Sequence, residues 1–522
     1  MSSIRGVIAA SEPHTAVAGA RLLRRGGNAI DAIVAAKLAA TVTELPLTSL
    51  GGGGVCIWGD ADDGYEVLDF FAAVPGRGLT VRPNLDFAPI TVDFGQTTQV
   101  FHIGKAAAAL PGELVGLLAL HRRAGRLPLR EVVAPAAAWA RDGFRVSPQI
   151  AMIVGLIAPI TRHSPTVARL FLPGGHLPQA GDRLTNPELG AFLHALGEGD
   201  PDTQVAEYWE SLVDHFGPAH GGLITAQDVA AYAPVVREPL RIPFGAHTVL
   251  TNPPPAAGGG LIGVGMRIAE GLGLGQEEFL SPKHQLALAA VLASVSDFRQ
   301  TGYDKLLHSD PGAIRSLLTG DTLPAWVGRA RSLRAENPLG ATTHISVIDA
   351  EGMAAAMTTS NGEGCGHALP GLGIHVNNFL GEDDINPGGF HQLAPGTWMS
   401  TMMSPTIVLA GDRPCFALGS GGSNRIRSAI LQALLNLLLY RRPLDEAVNA
   451  ARLHVEGSKL WFESVGLAAG AADALQTARP GATRFDSASL FFGGVNCVAS
   501  SDGQLSGAGD RRRGGVVVVA ES

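Results

Sequence analysis

The sequence predicts an α+β fold in which antiparallel sheets and helices pack in layers. Two stretches of the C-terminal third, residues 342–360 and 404–420, alternate as strand, tight turn and strand. An apolar stretch over residues 426–453 then predicts two helices. Hairpins followed by packed helices indicate a layered body, not a chain of parallel strand–helix units.

The N-terminal segment, residues 12–45, predicts two helices because its apolar residues recur at helical spacing. Gly26–Gly27 interrupts the pattern, and either Asn28 or Asp31 is suited to begin the second helix.

Residues 49–75 predict two strands around a turn at Asp60–Gly64. The run Gly51–Gly54 looks too flexible for the interior of a strand. We interpret it as a place where two backbones, or a backbone and a ligand, approach closely.

The segment from Ala106 to about Ala335 predicts mostly helices. Loops at Leu172–Asp182 and at residues 251–260 interrupt it, and the second, "TNPPPAAGGG", is interpreted as a surface or site-lining loop. Residues 490–519 end the chain in predicted strands.

Composition narrows the classes of partner. The chain has 522 residues, 46% hydrophobic and 16% charged, with a net charge of −8. Its longest basic run is Arg511–Arg513, so no nucleic-acid surface is expected. The most apolar helix candidate, Ile426–Tyr440, contains Arg427 and is too short to cross the ~30 Å of a bilayer core, so no membrane association is expected.

The N-terminal residues contain no apolar core typical of a secretory signal. We therefore expect a cytoplasmic protein, although a periplasmic chain trimmed of its signal would look the same.

The four cysteines are far apart and form no CxxC pair, and the 16 histidines form no HExxH motif. Neither a metal nor an organic cofactor is expected.

A pair of threonines opens the first C-terminal hairpin, in the stretch "NPLGATTHISVID". One interpretation is a strand that begins with two β-branched residues. The other is a chain cut before Thr342, which makes this residue a catalytic N-terminus and leaves Thr343 as a neighbour on the strand.

Eight short blocks in a fixed order decide between the two interpretations. They are "GGNAIDAIVAA", "LGGGG", "LPGELVGL", "ARDGFRVSP", "TAQDVAAY", "NPPPAAGGG", "MSPTIVL" and "GSGGS". With "TTHISVIDAEG", they resemble the γ-glutamyltransferase family, a branch of the N-terminal nucleophile hydrolases. The resemblance extends from about Gly6 to about Val519.

The resemblance implies a four-layer αββα sandwich and a zymogen that cleaves itself autocatalytically between Ala341 and Thr342. The products would be a large subunit, residues 1–341, and a small subunit, residues 342–522, associated as a heterodimer. Pairing of two heterodimers stays open. The implied activity is that of a hydrolase or acyltransferase on a small-molecule amide or γ-glutamyl-like substrate, the chemistry of glutathione metabolism.

A threonine at a new N-terminus carries its own base. The α-amino group has an ordinary pKa of ~7.7–8.0, so an appreciable fraction is neutral and able to accept the hydroxyl proton. This agrees with the absence of a GxSxG motif from the sequence.

The resemblance also assigns supporting residues. Gly421 and Gly422 would donate backbone N–H groups to an oxyanion, and Ser360 would lie against the nucleophile's amine. The alternatives are structural: a tight strand-to-helix turn for the glycines, and a strand-end serine that bonds its own backbone. The implied substrate-binding residues are Asn361, Glu382, Asp383, Thr401 and Ser423.

The sequence departs from the family at the glutamate-binding positions. Phe71 stands where an arginine usually grips the α-carboxylate, and Phe379 replaces a glutamine. Arg77 and Arg82 are nearby candidates for the missing cation. We therefore expect amidase chemistry with altered acyl specificity. The alternative is a non-catalytic or unprocessed relative that binds a ligand.

Overall fold

The computed structural model describes residues 3–81, 83–93, 98–319 and 342–522. Its centre is a seven-stranded antiparallel sheet, the first sheet. In spatial order, its strands are Val235–Arg237, Gly64–Phe70, Gly53–Asp60, Ala354–Ser360, Thr343–Asp349, Ile4–Ala10 and Val516–Glu521.

A second, six-stranded antiparallel sheet faces the first. Its strands are, in spatial order, Leu240–Phe244, His247–Thr251, Thr406–Ala410, Arg413–Gly421, Gly494–Ser501 and Gln504–Gly509. A buried apolar cluster joins the two sheets, with Val55 and Ile57 from the first and Ile407 and Leu409 from the second.

Helices cover the outer face of each sheet. The helices over the first sheet include Pro13–Arg24, Ala29–Thr43, Glu113–Ala124, Leu129–Asp142, Pro187–Glu198 and Pro201–Phe216. Those over the second sheet include Gly258–Gly271, Pro282–Phe298 and Arg425–Leu434. The expected four-layer αββα arrangement is confirmed.

Shorter elements complete the described chain. The helices are Pro148–Leu156, Ala158–Thr161, Pro165–Phe171, Ala226–Ala231, Asp304–Ser309, Pro311–Thr319, Leu444–Asn449 and Ala471–Ala478. The strands form small ladders: Ala72–Ala73 with Leu110–Pro111, Ala88–Asp93 with Thr98–Ile103, Phe144–Arg145 with Arg183–Leu184, Ala368–Leu369 with Ile374–His375, and Leu453–Glu456 with Lys459–Glu463 and Thr483–Phe485.

The two ends of the described chain meet at the edge of the first sheet. Strand Ile4–Ala10 pairs with strand Val516–Glu521. Beyond this pairing, the Ser3 N–H donates to Ser522 Oγ at 3.0 Å, and the Ser522 N–H donates to the Ser3 carbonyl at 2.9 Å.

The second helix begins at Asn28, one of the two residues expected to start it. The Asn28 side chain accepts the N–H groups of Ile30 and Asp31, and the Asp31 carboxylate accepts the Asn28 N–H at 3.0 Å. This reciprocal capping box satisfies N–H groups that no helical carbonyl can reach.

The Gly51–Gly54 run confirms one expectation and corrects another. Gly53 and Gly54 begin strand Gly53–Asp60, so the run is not wholly outside a strand. The close approach is present: a Cβ on Gly53 would lie 2.0 Å from the Phe71 carbonyl oxygen. A side chain is excluded there because the neighbouring backbone occupies its space.

The helical interpretation of residues 106–335 is incomplete over 106–319, and residues 320–335 lie outside the described part of the chain. Strands Val235–Arg237, Leu240–Phe244 and His247–Thr251 lie within it. Helix Gly258–Gly271 also begins inside the expected loop at 251–260. Its glycines serve packing, since a Cβ on Gly258 would meet the Met402 carbonyl oxygen at 2.3 Å.

The four cysteines are free thiols, and three of them are buried. Within the described ranges, no cluster of His, Cys, Asp and Glu is suited to hold a metal ion. Among the helices of the same ranges, none has both the length and the apolar character that crossing a membrane requires.

Asp31 links its own helix to the loop after helix Glu113–Ala124. Its buried carboxylate also accepts the N–H groups of Arg126 and Leu127 at 3.0 and 3.1 Å, so its removal tests how much these contacts stabilise the fold. Asp31→Ala leaves three N–H groups without their acceptor. We expect the free energy of unfolding to fall by roughly 3 kcal/mol, measured by urea denaturation. Asp63→Ala, in an exposed turn, is the control and should leave the midpoint unchanged. An unchanged midpoint in Asp31→Ala would contradict this role.

Candidate active site

Strand register brings Thr342 opposite Ser360. In the hairpin of the first sheet, Thr343 pairs with Thr359, so the next residues outward are Thr342 and Ser360. Both are buried and line the same small cavity. The structure thus brings together the predicted nucleophile and the hydroxyl predicted to support it.

The small cavity has a volume of about 30 Å³, enough to hold a water molecule. Its walls are mostly apolar, with a few polar groups. The lining residues are Phe71, Thr342, Ser360, Phe379, Glu382, Asp384, Ile385, Thr401, Met402, Met403, Ser423 and Ile426.

A second cavity, of about 910 Å³, adjoins the first. The two share Asp384, Ile385, Thr401 and Met402 as lining residues. The narrow space at Thr342 therefore borders a chamber large enough for the bulk of a small-molecule substrate.

Two phenylalanines form one wall of the small cavity. The rings of Phe71 and Phe379 are buried, with their centroids 4.6 Å apart. Asp69 fixes the position of Phe71, because its carboxylate accepts the Phe71 N–H at 3.2 Å and the Arg237 Nε–H at 2.8 Å. The site therefore presents hydrocarbon where the sequence departs from the usual arginine and glutamine.

Two carboxyl groups, those of Glu382 and Asp384, also line the small cavity. Burial raises the pKa of Glu382 well above its ordinary value, and the nearby charges of Glu363 and Asp384 raise it further. Within the described part of the chain, Glu382 Oε1 has no hydrogen-bond partner. Asp384 accepts a hydrogen bond from the Ser423 hydroxyl. Burial and the neighbouring carboxylates therefore both disfavour the charged form of Glu382.

The glycine turn contacts the backbone of Thr342. Strand Arg413–Gly421 ends at this turn and helix Arg425–Leu434 follows it. A Cβ on Gly421 would lie 2.1 Å from the Thr342 carbonyl oxygen, so a side chain is excluded. Gly422 has a φ of 123°, a conformation that favours glycine.

The structure places two other predicted residues away from the small cavity. Asn361 lies behind Ser360, with its Nδ2 3.4 Å from His375 Nδ1, and does not line the cavity. Asp383 is exposed and lines the larger cavity.

Of the two candidates for the missing cation, the structure describes only Arg77. Arg77 is exposed and packs against Gly396, and it is not among the lining residues. Arg82 lies outside the described residues, as does Ala341 at the expected cleavage point.

Thr343 is more than a neighbour on the strand. Its hydroxyl donates to the buried Glu44 carboxylate at 2.6 Å, and the Thr15 hydroxyl donates to the other carboxylate oxygen at 2.6 Å. Burial raises the pKa of Glu44 to about 7. The sequence signal was a lone acidic residue at the end of an apolar helix, and its role was not anticipated.

The partner strand is anchored in the same way. Thr359 and Thr48 share a hydrogen bond of 3.0 Å between their hydroxyls, and Lys37 Nζ donates to Thr48 at 2.5 Å. Lys37 lies 3.3 Å from Glu113, and both side chains are fully buried. The residues next to Thr342 and Ser360 are therefore held from the helical layer.

Arg513 contacts the backbone of Thr342, the predicted nucleophile. Its Nη1 donates to the Thr342 carbonyl oxygen at 3.4 Å, and the residue is buried. The sequence offered one signal, the Arg511–Arg513 run, which was used only to exclude nucleic acid.

Comparison with known proteins gives the family. A sequence profile described as Gamma-glutamyltranspeptidase matches residues 15–520. The acylase ACY 1 proenzyme of Pseudomonas sp. (strain SE83) is 32% identical over 534 residues, covering 99% of this chain and 94% of the relative. The glutathione hydrolase proenzyme of Pseudomonas aeruginosa is 28% identical over 475 residues, covering 86% and 82% respectively.

The fold has close counterparts among solved structures. The crystal structure of cephalosporin acylase from Bacillus halodurans superposes with a TM-score of 0.82 at 21% identity, covering 99% of this chain and 96% of that one. This likeness agrees with the αββα layers described above. The match of the family profile across nearly the whole sequence shows that the chain belongs to the gamma-glutamyltranspeptidase family, a group of N-terminal nucleophile hydrolases and acyltransferases.

Proposed function

We propose that this chain is an autoprocessed amidase or acyltransferase whose nucleophile is Thr342 and whose acyl specificity is altered from γ-glutamyl. The main observation that supports this proposal is that Thr342 lies opposite Ser360 in a buried cavity lined by Phe71 and Phe379. The substrate is a small-molecule amide, whose bulk occupies the adjoining chamber.

Processing begins with the attack of Thr342 Oγ on the carbonyl carbon of Ala341. An ester bond to Oγ forms, the peptide C–N bond breaks, and the hydroxyl proton passes to the departing nitrogen of Thr342. Water then hydrolyses the ester, which leaves a carboxylate on residue 341 and restores the hydroxyl. The products are residues 1–341 and 342–522.

Interleaved strands support a stable heterodimer after cleavage. Strand Thr343–Asp349 lies between Ile4–Ala10 and Ala354–Ser360 in the first sheet. Strand His247–Thr251 pairs with Thr406–Ala410 in the second sheet. Separation of the two products would break hydrogen-bonded ladders in both sheets.

The catalytic cycle uses the amine that cleavage creates. The neutral α-amine takes the proton from Thr342 Oγ as the oxygen attacks the substrate's acyl carbon. The amide C–N bond breaks, the acyl group remains on Oγ as an ester, and the proton passes to the leaving amine. Water or a second amine attacks the ester, gives up a proton through the same amine, and releases the acyl group.

Three residues complete the machinery in this proposal. Gly421 and Gly422 donate N–H groups to the oxyanion at the start of a helix. Ser360 Oγ accepts the Gly362 N–H at 3.0 Å, which fixes the hydroxyl beside Thr342 to orient the amine.

The small cavity, which binds the acyl group in this proposal, disfavours substrates whose acyl group carries a free carboxylate. Phe71 and Phe379 offer no donor, and burial of an unpaired carboxylate is strongly unfavourable. Glu382, Thr401 and Ser423 provide polar contacts in the small cavity, and Asp383 contacts the part of the substrate in the larger one. The relative named an acylase supports this preference.

Denaturing gel electrophoresis tests processing. The 54.0 kDa chain should give bands near two thirds and one third of its mass, the smaller with the N-terminal sequence Thr-Thr-His. Thr342→Ala should give a single band and lose amidase activity by roughly 10³-fold or more. Thr342→Ser, which keeps the hydroxyl, is the control.

Two results would contradict the assignment: cleavage of Thr342→Ala, or a different N-terminus on the small band. A wild-type chain that stays intact and binds ligand without turnover would favour the non-catalytic alternative.

Substrate panels test the specificity. The kcat/KM for an apolar acyl p-nitroanilide should exceed that for γ-glutamyl-p-nitroanilide by at least about tenfold. Phe71→Arg combined with Phe379→Gln should raise γ-glutamyl turnover by about 10–100-fold, because hydrogen bonds to a charged group contribute ~1.5–3 kcal/mol. Phe71→Leu is the matched apolar control. Strong, selective γ-glutamyl turnover by the wild type would refute altered specificity.

Gly421→Ala tests the glycine turn. The added methyl would displace the Thr342 carbonyl, so kcat should fall by about 10²–10³ with a smaller change in KM. Gly155→Ala, where a Cβ meets nothing within 4 Å, should behave as the wild type. Unchanged kcat in Gly421→Ala would leave the glycines with a purely structural role.

A further inference from the structure

The Arg511–Arg513 run divides among three environments. Arg511 is exposed and donates to Asp445 at 2.7 Å. Arg512 is buried and pairs with both Glu463 and Asp510. Arg513 is buried against Thr342, so two of the three arginines are internal and do not belong to a basic surface.

Arg513 uses its guanidinium on backbone carbonyls. Nη1 donates to the Thr342 carbonyl at 3.4 Å, and Nη2 donates to the Leu490 carbonyl at 3.3 Å. Among the described residues, no carboxylate lies within ion-pair distance of Arg513, and its Nε has no hydrogen-bond partner. The positive charge is therefore held in the interior without an ion pair, and the charges of Asp510 and Glu363 act on it from a greater distance.

The same guanidinium borders the glycine turn. A Cβ on Gly421 would lie 3.3 Å from Arg513 Nη1, and one on Gly422 would lie 3.3 Å from Nη2. The cation thus contacts both the carbonyl of Thr342 and the turn proposed to bind the oxyanion.

The charged groups around Thr342 have both signs. Burial lowers the pKa of Arg425 to about 9 and that of Arg513 to about 10, so both stay protonated at neutral pH. Burial also raises the pKa of Glu382 well above its ordinary value. The charges of Asp510 and Glu363 raise the pKa of Arg513, and that of Arg452 lowers it. Asp384 lines the small cavity, and Glu44 accepts the hydrogen bond of the Thr343 hydroxyl.

We propose that Arg513 is a positioning residue for the reaction at Thr342: it holds the nucleophile's carbonyl against the glycine turn and, as a nearby buried cation, favours the neutral form of the freed α-amine. This inference rests on the proposed function. The amine belongs to the residue whose carbonyl Arg513 contacts, so bond lengths place the guanidinium within about 7 Å of it. A cation at that range disfavours protonation of an amine and keeps it available as a base.

The pH dependence of kcat/KM tests the electrostatic role. In Arg513→Gln, the acidic limb, where the amine loses its proton, should move to higher pH by about one unit. Arg513→Lys keeps the charge and should hold the limb near its wild-type position. Arg511→Gln, which removes the same charge from the exposed end of the run, is the matched control and should not move it.

A second measurement does not depend on activity or on a variant that folds. Competitive acetylation of the processed wild-type protein over a pH series, read by mass spectrometry of the Thr342 peptide, gives the pKa of the amine. We expect a value below the ordinary ~7.7–8.0. A value at or above ~8, or an unmoved limb in processed Arg513→Gln, would overturn the inference.

The outcomes separate this inference from the proposed function. If Thr342→Ala remains active, the proposed function fails regardless of Arg513. If Thr342 is confirmed as the nucleophile but Arg513→Gln lowers kcat without moving the limb, Arg513 supports only the structure.

Discussion

The site depends on the antiparallel pairing of Thr343–Asp349 with Ala354–Ser360 at the centre of the first sheet. The turn between them is fixed by Asp349, whose carboxylate accepts the N–H groups of Glu351 and Met353 and, from the helical layer, that of Ala29. A slip of one residue would turn every side chain to the opposite face. This one register sets Thr342 opposite Ser360 and directs Thr343 and Thr359 towards their buried anchors.

The hydrogen bonds of Thr343 and Thr359 to buried polar groups position the two strand ends, and they do so at some expense to the stability of the folded state. Buried ionisable groups are unfavourable unless hydrogen bonds compensate for the lost water. Glu44 is satisfied by two hydroxyls, one from the residue after Thr342, and Lys37 reaches Thr48 and Glu113. Apolar residues would pack the same space at less cost, but they would not tie the ends of two strands to the helix behind them.

Local signals in the sequence predicted the hairpin at 343–360 and the helix that begins at Asn28, because a turn and a cap are each encoded within a few residues. Strand Val235–Arg237 was missed because it is short and its partner, Gly64–Phe70, is remote in sequence. Leu240–Phe244 and His247–Thr251 pair locally as a hairpin, and they were missed because they lie within a segment whose apolar pattern is mostly helical. At the site, the sequence alone identified Phe71 as a residue that stands where the family usually has an arginine. The Thr343–Glu44 bond spans 299 residues and the Arg513–Thr342 bond 171, and no local pattern indicates contacts over such separations.

Ser3 and Ser522 meet at the edge of the first sheet. The order of residues 1–341 and 342–522 along the chain could therefore be exchanged without changing the fold. A short linker joining Ser3 and Ser522 would close the chain into a loop without crossing the core. Opening that loop before Thr342 yields a circular permutant in which removal of the initiator methionine leaves Thr342, the proposed nucleophile, at the N-terminus. Such a chain would obtain the free amine of Thr342 from an aminopeptidase instead of from the proposed self-cleavage, which would uncouple formation of the amine from the chemistry of the site.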